Sequence, residues 1–361
     1  MSNIWIVITL ILGFFIIFQI AKASEYVGIL KGEEKTRKDS NRINAFLLLA
    51  FLILGLVGVW YCNEKLKGKI LGAPASDHGE KIDTMIWITL AITGFVFVVT
   101  QILLFWFSYK YQEKENKKAF YYPHNNKLEV IWTVIPAIVL TILVGFGLYY
   151  WFQITGEAPK NAIVVEVTGK QFNWEFRYPG KDGILGKKYF KNVDETKSNP
   201  LGQIWEDPAN HDDVYTTGEM HAVVNRPLKL VIYSKDVIHD VGLAHFRMKM
   251  DAVPGMPTTM WFTPKYTTRQ MREKYGPDFN YEISCDQMCG SGHYSMRGTI
   301  IVESEAEYKV WLASKKPQYL AAKEATSGGT TSPVTADTTA ATGAYNTNMK
   351  KKREKAVSIK E

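Results

Sequence analysis

Four stretches of the chain carry no charged side chain: residues 1–21, 43–63, 84–109 and 130–156. An α-helix rises about 1.5 Å per residue, so about 20 apolar residues cross the roughly 30 Å of hydrocarbon in a bilayer, and all four stretches are long enough. The third, from Met85 through Trp106 and Phe107, and the fourth, from Val130 to Phe152, end in aromatic clusters of the kind that sit at headgroup level. Pro136 lies inside the fourth, where neighbouring helices absorb the lost hydrogen bond. The first finishes in Ala21-Lys22-Ala23, which resembles a signal-peptidase site, so a removed targeting segment and a retained span both stand. Residues 1–3 lack a positive charge and the apolar core, about seventeen residues, exceeds that of ordinary targeting segments, which favours a retained span.

Between these stretches, residues 22–42 hold six Lys/Arg, 64–83 hold four and 110–127 hold five. Positively charged loops stay in the cytoplasm. This predicts the first and third loops inside, the N-terminus outside, and everything after residue 153 outside as well.

From about 160 to 310 the helical period gives way to short alternating segments, with Ile163, Val165 and Val167 on one face, then Leu228, Leu230 and Ile232. Further strand-like runs are 259–263, 281–284 and 299–302, separated by Pro-Gly and Gly-rich turns. The fold class expected is a membrane-anchored α-helical part followed by an all-β, antiparallel sandwich or barrel. The predicted organisation is an N-terminal extension with two spans (1–63), a helical hairpin (84–152), a β domain (153–317) and a tail (318–361) whose Ala, Thr, Ser and Gly cannot offset ordering entropy. The insert 179–220, rich in Asp, Asn, Gly and Pro, reads as a long surface excursion; its Asp207, Asp212 and Asp213 read as a solvated turn, because a calcium site needs six or more convergent oxygens.

Composition adds two exclusions. With 361 residues, 46% apolar, 22% charged and three cysteines, the chain is neither a disulfide scaffold, nor collagen-like, nor wholly disordered. Its net charge of +7 divides as +4 over 1–152, zero over 153–317 and +3 over 318–361, so no folded region is a basic nucleic-acid platform.

The chemistry converges on Cys285-Asp-Gln-Met-Cys289-Gly-Ser-Gly-His293-Tyr-Ser-Met296, with Asp236-Val-Ile-His239 about fifty residues upstream. Two thiols, two imidazoles and a thioether form a soft donor set, suited to copper and unsuited to magnesium or calcium. A Cys285–Cys289 disulfide is one alternative, and it leaves His293 and Met296 unused. Zinc is another, but zinc ligands typically come as a close Cys pair followed by a close His pair, and Met is a poor zinc ligand. A single blue-copper site needs only one Cys. The second thiol points to two thiolates bridging two coppers, each with one histidine, with weak axial donation from Met296 on one metal and from the backbone carbonyl near Gln287 on the other. Cys62, at the end of a span, reads as an inert buried residue.

With these motifs the chain resembles subunit II of the haem-copper cytochrome c oxidases of bacteria. The match runs from about 84 to 315 and includes Leu128-Glu-Val-Ile-Trp-Thr-Val-Ile-Pro136 and Asp251-Ala-Val-Pro-Gly255. The resemblance implies a two-helix hairpin before a cupredoxin-like domain that carries the dinuclear copper A centre, on the outer side of the cytoplasmic membrane. It implies that electrons arrive from cytochrome c, or from a cytochrome-bearing quinol-oxidising complex, and pass to haem a of subunit I for oxygen reduction coupled to proton translocation. Subunits I and III and membrane lipid are the implied partners, with no nucleic acid. It also implies a proton-channel role for Glu129, and electron acceptance at the aromatic stretch of Phe172 and Trp174. In the family the middle residue of the Cys loop is usually Glu and helps hold magnesium; here it is Gln287, a neutral and weaker ligand, which puts magnesium in doubt. His245, Asp236 and Asp240 lie near the first ligand, where acids can steer a basic cytochrome. A quinol oxidase subunit would lack the copper ligands, and nitrous oxide reductase would need a propeller domain. A membrane-tethered copper chaperone, binding one exchangeable ion through exposed Cys and Met, is the rival from a different class.

Overall fold

The computed structural model describes residues 3–67, 72–114, 117–118 and 120–327. Four long helices come first: α1 (Asn3–Lys31), α2 (Glu33–Leu66), α3 (Asp77–Lys110) and α4 (Asn126–Ile154). All four are long and apolar enough to cross a membrane, and their apolar side chains face outward rather than into a protein core. The charge-free windows locate the dry part of each helix but not its ends. The predicted 22–42 loop is helical except at Gly32, whose φ of 87° breaks the rod. Its polar residues stay helical through the Lys22–Glu25 and Glu34–Lys38 pairs and the bonds that the Thr36 hydroxyl donates to the Gly28 and Gly32 carbonyls. Helix α1 runs unbroken through Ala21-Lys22-Ala23. Each helix of the hairpin opens on a side-chain cap: the Ser76 hydroxyl accepts from Gly79 N, and Asn125 Oδ1 accepts from Leu128 N. Pro136 sits inside α4 without ending it.

By compactness the chain divides into two units: Met1–Phe176 with Thr217–Tyr308, and Arg177–Thr216 with Lys309–Glu361. Ten strands follow the helices: β1 (Ile163–Lys170), β2 (Asn173–Tyr178), β3 (Val214–Thr217), β4 (Glu219–Val223), β5 (Leu228–Ser234), β6 (His239–Leu243), β7 (Met248–Ala252), β8 (Thr258–Phe262), β9 (Tyr281–Cys285) and β10 (Arg297–Glu303). They form two five-stranded sheets, ordered β3-β2-β1-β5-β8 and β4-β10-β9-β6-β7. The expected sandwich is present, but it is mixed rather than purely antiparallel, because β1 pairs β5 and β10 pairs β4 in parallel. Val165, Val167, Leu230, Ile232, Phe262, Ile283 and Ile300 are buried in its core.

Within the first unit the end of the hairpin that carries Ser76 and Ile154 is clasped to the sheets. Arg247 donates Nε and Nη2 to the two carboxylate oxygens of Asp83 at 2.9 and 3.0 Å, a bidentate geometry. Asp77 Oδ1 accepts from Thr263 N, the Ser76 hydroxyl donates to Phe246 O, and Trp261 Nε1 donates to Gly156 O. The sandwich therefore stands at the ends of the spans, held by bonds from α3 and its cap and from Gly156, just past the end of α4.

The second unit corrects the reading of 179–220 as an excursion. Arg177 Nη1 donates to Gly186 O, Asn210 Oδ1 and Asp213 Oδ2 at 2.9, 3.0 and 3.1 Å, and Asn210 and Asp213 are fully buried. The segment lacks apolar residues because its core is a polar network. Asp212 Oδ2 accepts from Lys181 N and Asp182 N, and Asp207 from Lys187 N and Ala209 N, so these acids serve turns as expected, while Asp213 is an internal ion-pair partner. Two further helices are α6 (Glu305–Ser314) and α7 (Gln318–Ser327), after α5 (Thr268–Tyr275) in the first unit. Residues 318–327, grouped with the tail on composition, are thus helical; the rest of that predicted tail lies outside the described residues.

Candidate metal centre

Strand β6 begins at His239 and β9 ends at Cys285, and the two strands pair side by side, which brings together a histidine and a cysteine 46 residues apart in the chain. Cys285 Sγ lies 3.8 Å from His239 Nδ1 and 3.8 Å from Cys289 Sγ; Cys289 Sγ lies 3.7 Å from His293 Nδ1 and 3.8 Å from Met296 Sδ. The Gln287 carbonyl oxygen approaches Cys285 Sγ at 3.1 Å. All six residues read from the sequence are brought together, Gln287 through its main chain while its side chain is exposed. A sulfur separation of 3.8 Å is far from the 2.03–2.05 Å of a disulfide, and both thiols are free.

His239 and Met296 are wholly buried and the two cysteines nearly so, while His293 is partly exposed. Burial and the adjoining Cys285 thiol push Cys289 up to about 11. Two crowded thiols in an apolar pocket resist ionising alone, so the pair needs cationic charge beside it to become thiolate. Soft donors arranged as two sulfur–imidazole pairs fit copper.

Asp236 fixes the first histidine. His239 Nε2 donates to Asp236 Oδ1 at 2.8 Å, which leaves the Nδ1 lone pair facing the sulfurs. Burial alone would raise the Asp236 carboxyl, but bonds from Gln171 N, His239 and Val237 N outweigh it and hold the group below the usual carboxylate range. The acids expected to steer a partner are turned to internal uses: Asp236 holds His239, and Asp240 is buried against Lys249 at 2.8 Å.

The turn between β1 and β2 closes over the loop. Phe172 is partly exposed and packs on Gly290 and Gly292, where an added Cβ would come within 3.0 and 2.4 Å of its ring. Gly290 adopts φ 135°, open to glycine and rarely to other residues. Trp174 departs from expectation: it is wholly buried, 6.0 Å edge-on from the His239 ring, so it supports the ligand and does not meet a partner at the surface. Sequence reading also missed Gln171, whose Nε2 donates to the Cys289 carbonyl. No spacing rule ties residue 171 to 289; only the sheet packing joins them.

Glu129 lies elsewhere, exposed in the first turn of α4, with Asn125 N donating to its carboxylate at 3.4 Å. A helix rise of about 1.5 Å per residue puts it some tens of ångströms from the end of α4 that meets the sheets. Cys62, expected to be buried, is exposed on α2.

His245 belongs to the aromatic packing, edge-on to Phe279 at 5.1 Å and Tyr281 at 5.7 Å, with Nδ1 buried and unpartnered among the described residues. Burial pushes its pKa below 6.5, with Glu282 opposing and Arg247 adding to the shift. The unfolded chain therefore takes up this proton first as the pH falls, so the contribution is full above about pH 6.5 and is lost below it. We expect His245→Phe to shrink the drop in melting temperature between about pH 7.5 and 5.5. An unchanged slope in thermal denaturation would remove His245 as the cause.

Residues 69–149 match the family described as cytochrome c oxidase subunit II, transmembrane domain, and residues 163–305 match cytochrome c oxidase subunit II, periplasmic domain. A protein of Bradyrhizobium diazoefficiens named alternative cytochrome c oxidase subunit 2 is 36% identical over 266 residues, spanning 73% of this chain and 91% of that protein. Cytochrome c oxidase subunit 2 of Cereibacter sphaeroides is 28% identical over 230 residues, spanning 62% of this chain and 72% of its own length. Among solved structures, the periplasmic domain of subunit II of the cytochrome oxidase (CoxB) of Bradyrhizobium japonicum is 21% identical with a TM-score of 0.32, covering 45% of this chain and 99% of that one.

Proposed function

This chain belongs to the cytochrome c oxidase subunit II family, and from that premise we propose that His239, Cys285, Cys289, His293, Met296 and the Gln287 carbonyl hold two copper ions that serve an oxidase. The observation that carries the proposal is the pair of buried sulfurs 3.8 Å apart, each beside its own imidazole nitrogen. When bound, such a centre supplies a one-electron relay between a cytochrome c-type donor and haem a of subunit I, where oxygen is reduced to water and protons are translocated.

The chain's own residues keep that relay rigid and largely buried. Asp236 holds His239 in one tautomer, Cys285 N donates to Met296 O at 3.1 Å, and Met296 N donates to His293 O at 3.1 Å, so the loop closes on itself. Donors fixed before and after electron transfer need little rearrangement, which keeps the barrier low. Phe172, the partly exposed ring on the loop, is the group offered to the donor. Glu129, in the opening turn of α4, is the carboxylate offered to proton uptake with subunit I. The β domain faces the outer side of the bacterial cytoplasmic membrane, in keeping with the positive 22–42 and 110–127 segments. Gln287 brings no charge toward magnesium. A copper chaperone needs exposed, exchangeable thiols, and the burial of both sulfurs favours the relay.

Rapid mixing of the assembled, cyanide-inhibited oxidase with reduced cytochrome c tests this order. The near-infrared copper band should bleach before haem a is reduced. Haem reduction at an unchanged rate in copper-depleted enzyme would contradict it.

A further inference from the structure

The β1–β2 turn packs Phe172 on the Cys loop and sends hydrogen bonds to both ends of the donor set, and both hydrogen bonds come from one residue. Gln171 N donates to Asp236 Oδ2 at 2.7 Å, and the other oxygen of that carboxylate accepts from His239 Nε2. Gln171 Nε2 donates to the Cys289 carbonyl at 2.5 Å. The turn has its own anchorage: Lys235 N donates to Gly169 O, and the ammonium groups of Lys170 and Lys235 both reach the buried Glu175 carboxylate.

Two carbonyls of the Cys loop are thereby given opposite tasks. The Gln287 oxygen faces Cys285 Sγ, whereas the Cys289 oxygen is turned out to Gln171. The peptide after Cys289 runs into Gly290, which has no Cβ to resist rotation and lies at φ 135°. The Gly290 carbonyl on the far side of that joint accepts from His293 N at 3.1 Å and the Phe172 ring packs on it, whereas the Cys289 carbonyl on the near side is held by Gln171.

We infer that Gln171 is a positioning residue of the metal centre: its side-chain amide locks the Cys289 peptide and its main-chain N–H locks Asp236, so that one turn sets the spacing of His239 and Cys289. The inference rests on the copper reading for its spectroscopic arm and is independent of it in its thiol-reactivity arm.

Gln171→Met keeps the length, removes the donor and retains the main-chain N–H; Gln171→Glu keeps the shape and sets oxygen against oxygen. In copper-loaded full-length chain, loss of copper to a chelator should speed up by about 10- to 100-fold, the range for losing an outer contact to a ligand, with Gln171→Glu the worse. The visible and near-infrared bands should shift in both variants while the melting temperature of metal-free chain stays near the parent's. In metal-free chain, alkylation of Cys289 relative to Cys285, read by peptide mass, should rise in Gln171→Met as the peptide is released. Mere packing predicts that both length-matched variants behave like the parent. Parental copper retention and bands overturn the inference, as does an unchanged alkylation ratio. If the parent binds no copper pair, the function proposed above fails on its own, and the alkylation ratio still decides for or against Gln171.

Discussion

Cys289→Ser is expected to lower the copper content from two ions to at most one per chain and to cut electron uptake from cytochrome c by more than about a hundredfold. Loss of an outer contact costs about 10- to 100-fold in affinity or activity, and in the proposed centre Cys289 is an inner donor, set beside Cys285, His293 and Met296 at once. A serine hydroxyl fills almost the same volume but is a hard donor that stays protonated in a buried pocket, so the fold persists while the softness that suits copper is lost. Metal analysis and steady-state cytochrome c oxidation by the assembled oxidase check this; a variant with two coppers and parental turnover would refute it.

Arg177→Leu is expected to destabilise the second unit by about 3–5 kcal/mol, because it leaves Asp213 buried without its cation and strips donors from Gly186 O and Asn210 Oδ1. The double change Arg177→Leu with Asp213→Leu should recover a large share, since an apolar pair replaces the ion pair without stranding a charge. Denaturant titration followed by the fluorescence of Trp205 and Trp311, both within this unit, reads the difference. Equal stability of parent and single variant would show that the ion pair does not hold the segment.

The spans were legible because charge-free windows about 20 residues long have few soluble explanations. Their ends were not, because polar residues such as those around Thr36 extend a helix without changing the apolar window. The metal loop was legible because one short segment carries both thiols, His293 and Met296 at fixed spacing. Its supports were hidden: Gln171 and the buried orientation of Trp174 depend on how β1, β2 and β6 meet, which no local pattern encodes. The polar core of the second unit was invisible for a related reason. Arg177, Gln203, Asn210 and Asp213 look like surface residues until they are seen to satisfy one another. The parallel β1–β5 and β4–β10 pairings likewise arise from chain crossings that alternating hydrophobicity does not report.

Purified full-length chain, loaded with copper in detergent, offers the most direct test. Two coppers per polypeptide, with a near-infrared band and a seven-line electron-spin signal from one unpaired electron shared equally between them, is the predicted result. One loosely held copper, stoichiometric zinc without colour, or a Cys285–Cys289 disulfide that excludes metal would contradict the account.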